Sequence, residues 1–335
     1  MHIGPHLVAY AAMINIPWPG VSGAPARLQP LLLPLYRQAG IEVSLLRLDE
    51  LHSQVSGNKL FKLKYHLEQA MSAGYRRVIS FGGAFSNHLH ALAFAGRVMG
   101  LETIGVVRGE PGYADNPTLR DAADWGMRLH FVDRRTYRCK QTPEVADRLR
   151  DRFGDCYIIA EGGAGPPALQ GCGEIFDAFP AGALAGTGLV GLAVGTGSTL
   201  AGLVAARPEH CRLLGFPVLR GGDFLYRDIA SQLREAGLAD SAGWQLQLDA
   251  HEGGYGRVSL QLAAFLHAFE QETGICLDPV YTGKLLLGFN RLVVSGGIAA
   301  GTRVVLIHTG GLQGLRGMAK TLYDRRSAFR GALPL

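Results

Sequence analysis

The chain has 335 residues, 47% hydrophobic and 18% charged; that exceeds the roughly 250–300 residues one core usually serves and favours two domains, or one core with a large insertion. Its net charge of +5 is spread out, the densest basic groups being pairs such as Arg76-Arg77, Arg134-Arg135 and Arg325-Arg326, which suits a small anionic ligand and excludes the basic stripe that a nucleic-acid backbone requires. The cysteines (Cys139, Cys156, Cys172, Cys211, Cys276) are odd in number and never form C-x-x-C, and no H-E-x-x-H occurs, so neither a disulfide framework nor a metal site is expected and a reducing cytoplasm fits best.

Residues 1 to about 25 read as a loose arm, apolar and rich in small residues but without the basic start of a secretory signal, and Met13 is a candidate start. "IEVSLLRLDEL" (41–51) alternates as a strand does. Ser56-Gly57-Asn58-Lys59 follows as a tight turn, and a helix is expected over about 61–73. "RRVISFGG" reads as a buried strand running into glycines. "SNHLHALAFAGRVMG" reads as a helix with Ser86 at its N-cap and Gly100 at its stop. His88 and His90 lie two apart, on different faces of that helix, so they make no ligand pair. "ETIGVVRG", "RLHFVDR" and "CYIIAEGG" are strands that alternate with helices in "NPTLRDAADWG" and "PEVADRLRDRFG". That rhythm means βαβ units and doubly wound, mostly parallel α/β sheets.

"EGGAGPPALQG" reads as a junction, after which the pattern restarts with a helix over 169–179. Residues 178–206 carry no charge, yet Pro180 and seven glycines speak against a membrane span. A buried strand (LVGLAV), a glycine loop and a helix explain the stretch better. "RLLGFPVL", helices near 224–236 and 258–273, "LLLGFNRLVVSG" and "RVVLIHTGG" complete the chain.

Four glycine-marked turns stand at the edge where open α/β sheets collect ligands: Ser56 to Lys59, "GGAFSN" with Ser86 and Asn87, "GTGST" (Gly195, Thr196, Gly197, Ser198, Thr199), and "HTGG" with Thr309. "GTGST" offers glycine-turn amides, hydroxyls and a helix start, which suits a phosphate. It is neither a Walker loop nor a dinucleotide fingerprint. A phosphate cradle, a lysine at a turn and no metal-ligand pattern together point to pyridoxal 5'-phosphate, whose aldehyde a lysine can hold.

"SGNKLFKLKYHL", "GGAFSNHLHALA", "GTGSTLAGL", "GGYG", "LDPVYTGK" and "VVLIHTGG" resemble, in order from about residue 28 to 315, the motifs of the 1-aminocyclopropane-1-carboxylate deaminase and D-cysteine desulfhydrase family. These are fold type II, tryptophan-synthase-β-like pyridoxal phosphate enzymes, usually homodimers. The resemblance implies a small domain (62–166) inserted in a large one (1–61 and 167–335). It implies that Lys59 is the Schiff-base lysine, that Ser86 and Asn87 meet the substrate carboxylate and the cofactor's ring oxygen, and that Gly195 to Thr199 hold the phosphate. Tyr255 and Tyr281 match the two active-site tyrosines, and Thr309 falls where a side chain faces the pyridine nitrogen. Each residue also has a plainer reading: Lys59 as a helix-start lysine, Ser86 as a cap, the tyrosines as core aromatics. Lys62 can reach a phosphate or stand solvated, and is not counted in the site. The cysteines read as inert core thiols.

Two departures touch the substrate side. The family's Gln before Ser-Asn is Phe85 here, and "HLHAL" stands where an Arg or Thr-Arg pair is usual. The deaminase branch carries Glu after the "DPVY" tyrosine and Leu after the late histidine; Thr282 and Thr309 here resemble the desulfhydrase branch. The expected activity is elimination from a D-cysteine-like small amino acid to pyruvate, ammonia and sulfide. The alternatives are opening of 1-aminocyclopropane-1-carboxylate to 2-oxobutyrate and ammonia, or a cofactor-binding protein that has lost turnover. Neither nucleic acid nor membrane is an expected partner.

Overall fold

Apolar alternation decides how the strands stack. In β10 (Arg303–His308), Val305 and Ile307 enter one core cluster while Val304 and Leu306 enter another on the opposite face, the period of two that a strand imposes. The computed structural model describes residues 25–335; apart from Pro25, the expected arm with Met13 lies outside the described residues. β10 sits inside a six-stranded sheet of order β1 (Leu28–Pro30), β2 (Glu42–Arg47), β10, β7 (Leu189–Val194), β8 (Arg212–Pro217) and β9 (Trp244–Leu246). All its pairings are parallel except β1 with β2. The uncharged run LVGLAV is thus β7, buried along its whole length, as a strand covered on both faces must be.

A second sheet, all parallel, is ordered β5 (Arg128–Val132), β4 (Glu102–Arg108), β3 (Arg77–Gly83), β6 (Tyr157–Ile159), and is built from residues lying between β2 and β7 in the chain. The helices of the first half are α1 (Pro34–Gln38), α2 (Asn58–Ser72), α3 (Asn87–Met99), α4 (Pro117–Asp124), α5 (Arg134–Arg138) and α6 (Pro143–Phe153). Those of the second are α7 (Pro166–Gly173), α8 (Ser198–Ala206), α9 (Phe224–Glu235), α10 (Leu260–Thr273), α11 (Thr282–Val294) and α12 (Ala319–Ala328). Two starts differ from expectation. α2 begins at Asn58 rather than 61. α7 begins at Pro166 rather than 169, because proline suits the first helical turn, and it gives way to a 3-10 turn, Glu174–Ala178.

One core cluster runs from Leu46, Val190 and Val305 of the larger sheet through Leu63 and Leu67 of α2, Leu169 of α7 and Leu203 of α8 to Leu92 of α3 and Val78 and Val107 of the smaller sheet. A second lies under α10 and α11 (Phe265, Phe269, Leu285, Phe289), and a third joins Ile79, Phe81 and Ile104 to Tyr137 and Phe153. Each fully buried Leu or Phe contributes about 1.5–3 kcal/mol. Helices α2, α7 and α8 pack backbone against backbone: a Cβ on Gly171 would overlap the Phe61 carbonyl, and one on Gly202 would stand 2.5 Å from that of Leu169. This closeness brings the N-termini of α2 and α8 together.

Candidate active site

The entrance to α2 explains where the lysine goes. Gly57 precedes the helix with φ 68°, a conformation side chains resist, and a Cβ there would run into the Thr309 carbonyl. That carbonyl, just beyond β10, instead accepts the Asn58 N–H at 3.3 Å. Lys59 therefore lies in the first turn of the helix, not in the turn before it. Its Nζ donates to Asn58 Oδ1 at 2.6 Å, and Asn58 Nδ2 donates to Thr199 Oγ1 at 2.9 Å, which joins α2 to α8. Burial first, and the nearby Lys62 charge second, push the Lys59 ammonium down to about 7. Lys62, one turn on, is buried and not solvated. Its Nζ donates to the Gly162 carbonyl at 3.0 Å and to Thr196 Oγ1 at 3.3 Å, and burial lowers its pKa.

The glycine loop is held from behind by α9. Gln232 Nε2 donates to the Thr196 carbonyl at 2.9 Å and its Oε1 accepts from Ser198 Oγ at 2.7 Å. A Cβ on Gly197, whose φ is 83°, would point to Ile229 at 2.8 Å. The loop's backbone, not a side chain at Gly197, thus faces the site. The first amides of α8 have no intrahelical partner and form the positive end of its dipole.

At α3, Ser86 caps the helix as expected, its Oγ accepting the Leu89 N–H at 3.2 Å. Ser80 Oγ donates to the Ile159 carbonyl at 2.8 Å and lies 2.8 Å from His88 Nε2; its one proton being used, it accepts from Nε2–H and leaves His88 Nδ1 bare. Burial, then the Lys59 and Lys62 charges, hold that imidazole well below its usual pKa. His88 Nδ1 and Asn87 Oδ1 are buried without a hydrogen-bond partner. Phe85 is 42% exposed and packs on Gly317, away from the cavity, so it is not a wall of the substrate pocket.

The tyrosines come from the C-terminal part. The buried Asp278 carboxylate accepts the N–H groups of Val280 (3.0 Å), Tyr281 (2.8 Å) and Thr282 (2.8 Å) and so starts α11. Tyr281 donates its hydroxyl to Tyr255 at 3.3 Å. Burial above all raises the Tyr281 phenol's pKa strongly, and the enclosing cavity walls raise that of Tyr255, itself 50% exposed, so both stay protonated. The loop that carries Tyr255 is tied down by fully buried Lys284, whose Nζ donates to the carbonyls of His251 (2.8 Å) and Gly254 (2.7 Å). Burial pushes this ammonium down to about 8. Thr282 is buried and does not line the cavity, which leaves Thr309 as the threonine of the pair that does.

These elements enclose a cavity of about 970 Å³, lined by Lys59, Ser86, Asn87, Gly195, Thr196, Gly197, Thr199, Tyr255, Tyr281 and Thr309. Of the expected residues only Ser198 turns its side chain elsewhere, to Gln232. Asn58, Lys62, Arg108, Lys140 and Glu161 also line it and were not counted from the sequence. Lys62 could have been found by its spacing, since residues three apart share a helix face. All five cysteines are free, but Cys139 is exposed rather than a core thiol.

The donor set fits a phosphorylated pyridine aldehyde. Lys59 is an amine that sheds its proton near neutrality, as condensation with an aldehyde requires. Lys62, the Thr196 and Thr199 hydroxyls and the first amides of α8 are donors of the kind that hold a phosphate. The family described as pyridoxal-phosphate dependent enzyme matches residues 26–310. A putative 1-aminocyclopropane-1-carboxylate deaminase of Pyrococcus horikoshii is 30% identical over 286 residues, 83% of this chain and 87% of that protein. A D-cysteine desulfhydrase of Klebsiella pneumoniae is 27% identical over 313 residues, 88% and 93% of the two chains. The solved structure of an ACC deaminase homologue superposes with a TM-score of 0.82 at 28% identity, covering 96% of this chain and all of that one. Cradle, lysine, fold and relatives agree: the chain belongs to the fold type II pyridoxal-phosphate dependent enzymes, and pyridoxal phosphate is its cofactor.

Proposed function

We propose that the protein is a carbon-sulfur lyase that acts on a small β-thiol amino acid, D-cysteine fitting best. With one water consumed, the Cβ–S bond breaks, the α-proton is lost, and sulfide, pyruvate and ammonia leave. The observation that carries this reading is Thr309, a cavity-lining threonine at the end of β10 where the deaminase branch carries leucine: its neutral hydroxyl can hydrogen-bond a pyridine nitrogen but, unlike a carboxylate, does not hold a proton on it. When bound, pyridoxal phosphate supplies an electron sink for charge left at the α-carbon. A milder sink suffices when the leaving group is a thiolate.

The remaining work falls to the chain's own groups. Lys59, partly neutral at pH 7, takes the α-proton at Nζ. Ser86 and Asn87, at the start of α3, bind the substrate carboxylate and the cofactor's ring oxygen; the Gly195–Thr199 loop with Lys62 binds the phosphate. Tyr255 and Tyr281, protonated phenols 3.3 Å apart, hydrogen-bond the departing sulfur without giving up a proton. Residues 62–166 form an inserted domain around the four-stranded sheet, and the enzyme is a cytoplasmic homodimer. The family resemblance supports the inserted domain and the homodimer; the free cysteines support the reducing cytoplasm.

Ring opening of 1-aminocyclopropane-1-carboxylate is the second reading, favoured by the name of the Pyrococcus horikoshii relative. Incubation with D-cysteine, L-cysteine, β-chloro-D-alanine and the cyclopropane amino acid, with assay of pyruvate and 2-oxobutyrate, separates the two. 2-Oxobutyrate from the last, with no pyruvate from the others, would overturn the elimination reading. No oxo acid from any of them would leave a cofactor-binding protein without turnover.

A further inference from the structure

Part of the cavity is unused by this chemistry. Arg108 at the end of β4, Lys140 after α5 and Glu161 after β6 all line it. They gather around Tyr137, whose ring centroid lies 5.5 Å from the Arg108 guanidinium and 4.8 Å from Lys140 Nζ. The Tyr137 hydroxyl donates to Glu161 Oε1 at 2.7 Å, and Lys140 Nζ stands 3.2 Å from Glu161 Oε2. Lys140 and Glu161 neutralise each other. Arg108 is left over: among the described residues it makes no ion pair, and its guanidinium lies over Gly83, where a Cβ would come within 3.6 Å.

The place of this cation matters as much as its charge. After burial and the Tyr281 hydrogen bond, Glu161 and then Arg108 act most strongly on the Tyr255 phenol. Arg108, exposed at the end of β4 beside Gly83, thus stands within electrostatic reach of the tyrosine end of the cavity, where the leaving group is expected. At about 970 Å³ the space, which cofactor and substrate share, lies at the upper end of the ~300–1,000 Å³ typical of sites for drug-sized ligands. A guanidinium steadied on an aromatic face presents a planar fork that matches a carboxylate.

We propose that Arg108, braced by Tyr137, Lys140 and Glu161, is a subsite for a carboxylate at the far end of the substrate's side chain. The substrate class is then the S-substituted cysteines whose thiol carries an acid. Elimination from such a substrate breaks Cβ–S, removes the α-proton and consumes one water, releasing the acidic thiol, pyruvate and ammonia. The class rests on the elimination reading; the subsite does not.

The test therefore separates binding from turnover. Binding to the cofactor-loaded enzyme is measured by calorimetry with 2-aminoadipate, which has CH2 in place of sulfur and cannot eliminate, and with its side-chain amide, each in D and L form. The acid of the preferred enantiomer should bind about ten-fold tighter than the amide, the ~1.4 kcal/mol of a decade in affinity. In Arg108→Gln that ratio should fall to about one, and Arg108→Lys should keep part of it. Equal affinity for acid and amide in the native enzyme would overturn the subsite. So would an equal loss for both ligands in Arg108→Gln, which would put Arg108 on the α-carboxylate they share. In parallel, pyruvate release from S-carboxymethyl-cysteine should exceed that from its carbamoylmethyl analogue by a similar factor. A binding preference with no pyruvate from these or from D-cysteine would keep the subsite and sink the elimination reading.

Discussion

Lys59 carries its charge at a cost that pH can reveal. Burial, with Lys62 nearby, takes its ammonium from 10.5 to about 7; at ~1.36 kcal/mol per pH unit the difference comes to ~5 kcal/mol. Lys59 is partly exposed to the cavity, so solvent screening reduces this to about 2–3 kcal/mol. The sign follows from proton counts. Below about pH 7 folded and unfolded chains both carry the proton, and the folded state bears the full cost. Between about 7 and 10.5 the unfolded chain keeps a proton that the folded one has shed, so stability rises with pH. Lys59→Met keeps the bulk and loses the charge. Stripped of cofactor, this variant should be more stable than the parent by about 2–3 kcal/mol at pH 6, the gap closing as pH approaches 10.5. Urea unfolding at several pH values measures it. Parallel pH curves for the two proteins would refute the reasoning.

Lys62→Met removes a buried cation from the cradle at Gly162 and Thr196; cofactor affinity by equilibrium dialysis should weaken about ten- to hundred-fold, from the ~1.5–3 kcal/mol of a hydrogen bond to a charged group. Gly171→Ala forces a methyl onto the Phe61 carbonyl and should destabilise by about 1–3 kcal/mol, seen as a lower melting temperature; an unchanged melt would mean that α2 and α7 can part freely. Lys284→Met leaves the His251 and Gly254 carbonyls without their donor and should lower kcat through Tyr255 while cofactor affinity holds. A thiol reagent should modify Cys139 rapidly in the native enzyme, and buried Cys156, Cys172 and Cys211 only on unfolding, which peptide mapping resolves.

The sheets were legible because strand and helix periods differ, and because Ser86 and Gly100 mark the ends of α3 by their side-chain chemistry. The start of α2 was not. Its N-cap is Gly57, which has no capping side chain, and what fixes that glycine is the Thr309 carbonyl, some 250 residues on. Burial of Lys62 was hidden for a related reason: a lysine between apolar neighbours reads the same whether its helix faces water or the Thr196 loop. Ser198, Phe85 and Thr282 show the opposite limit. Each stands in a motif beside residues that line the cavity, yet Ser198 turns to Gln232, Phe85 to Gly317, and Thr282 into the interior. Adjacency in a motif places a backbone near a site without directing its side chain. Arg108, Lys140 and Glu161 escaped because the end of one strand and two separate loops bring them together.

The unbroken core between the two sheets limits how this enzyme can move. Leu63, Leu67, Leu92, Leu169 and Leu203 form one packed layer reaching both sheets, with α2 and α7 in backbone contact at Gly171. A gate that swung open would have to pull that layer apart and wet it. Sliding of α3 across its neighbours keeps it dry, because interdigitated helices tolerate small shear far better than separation. Asn87 at the head of α3 would travel with such a slide, while Lys59, whose helix start is tied to the Thr309 carbonyl and to Thr199, stays with Tyr281 and the larger sheet. Any tightening around a bound amino acid would then change the spacing between Asn87 and these groups directly.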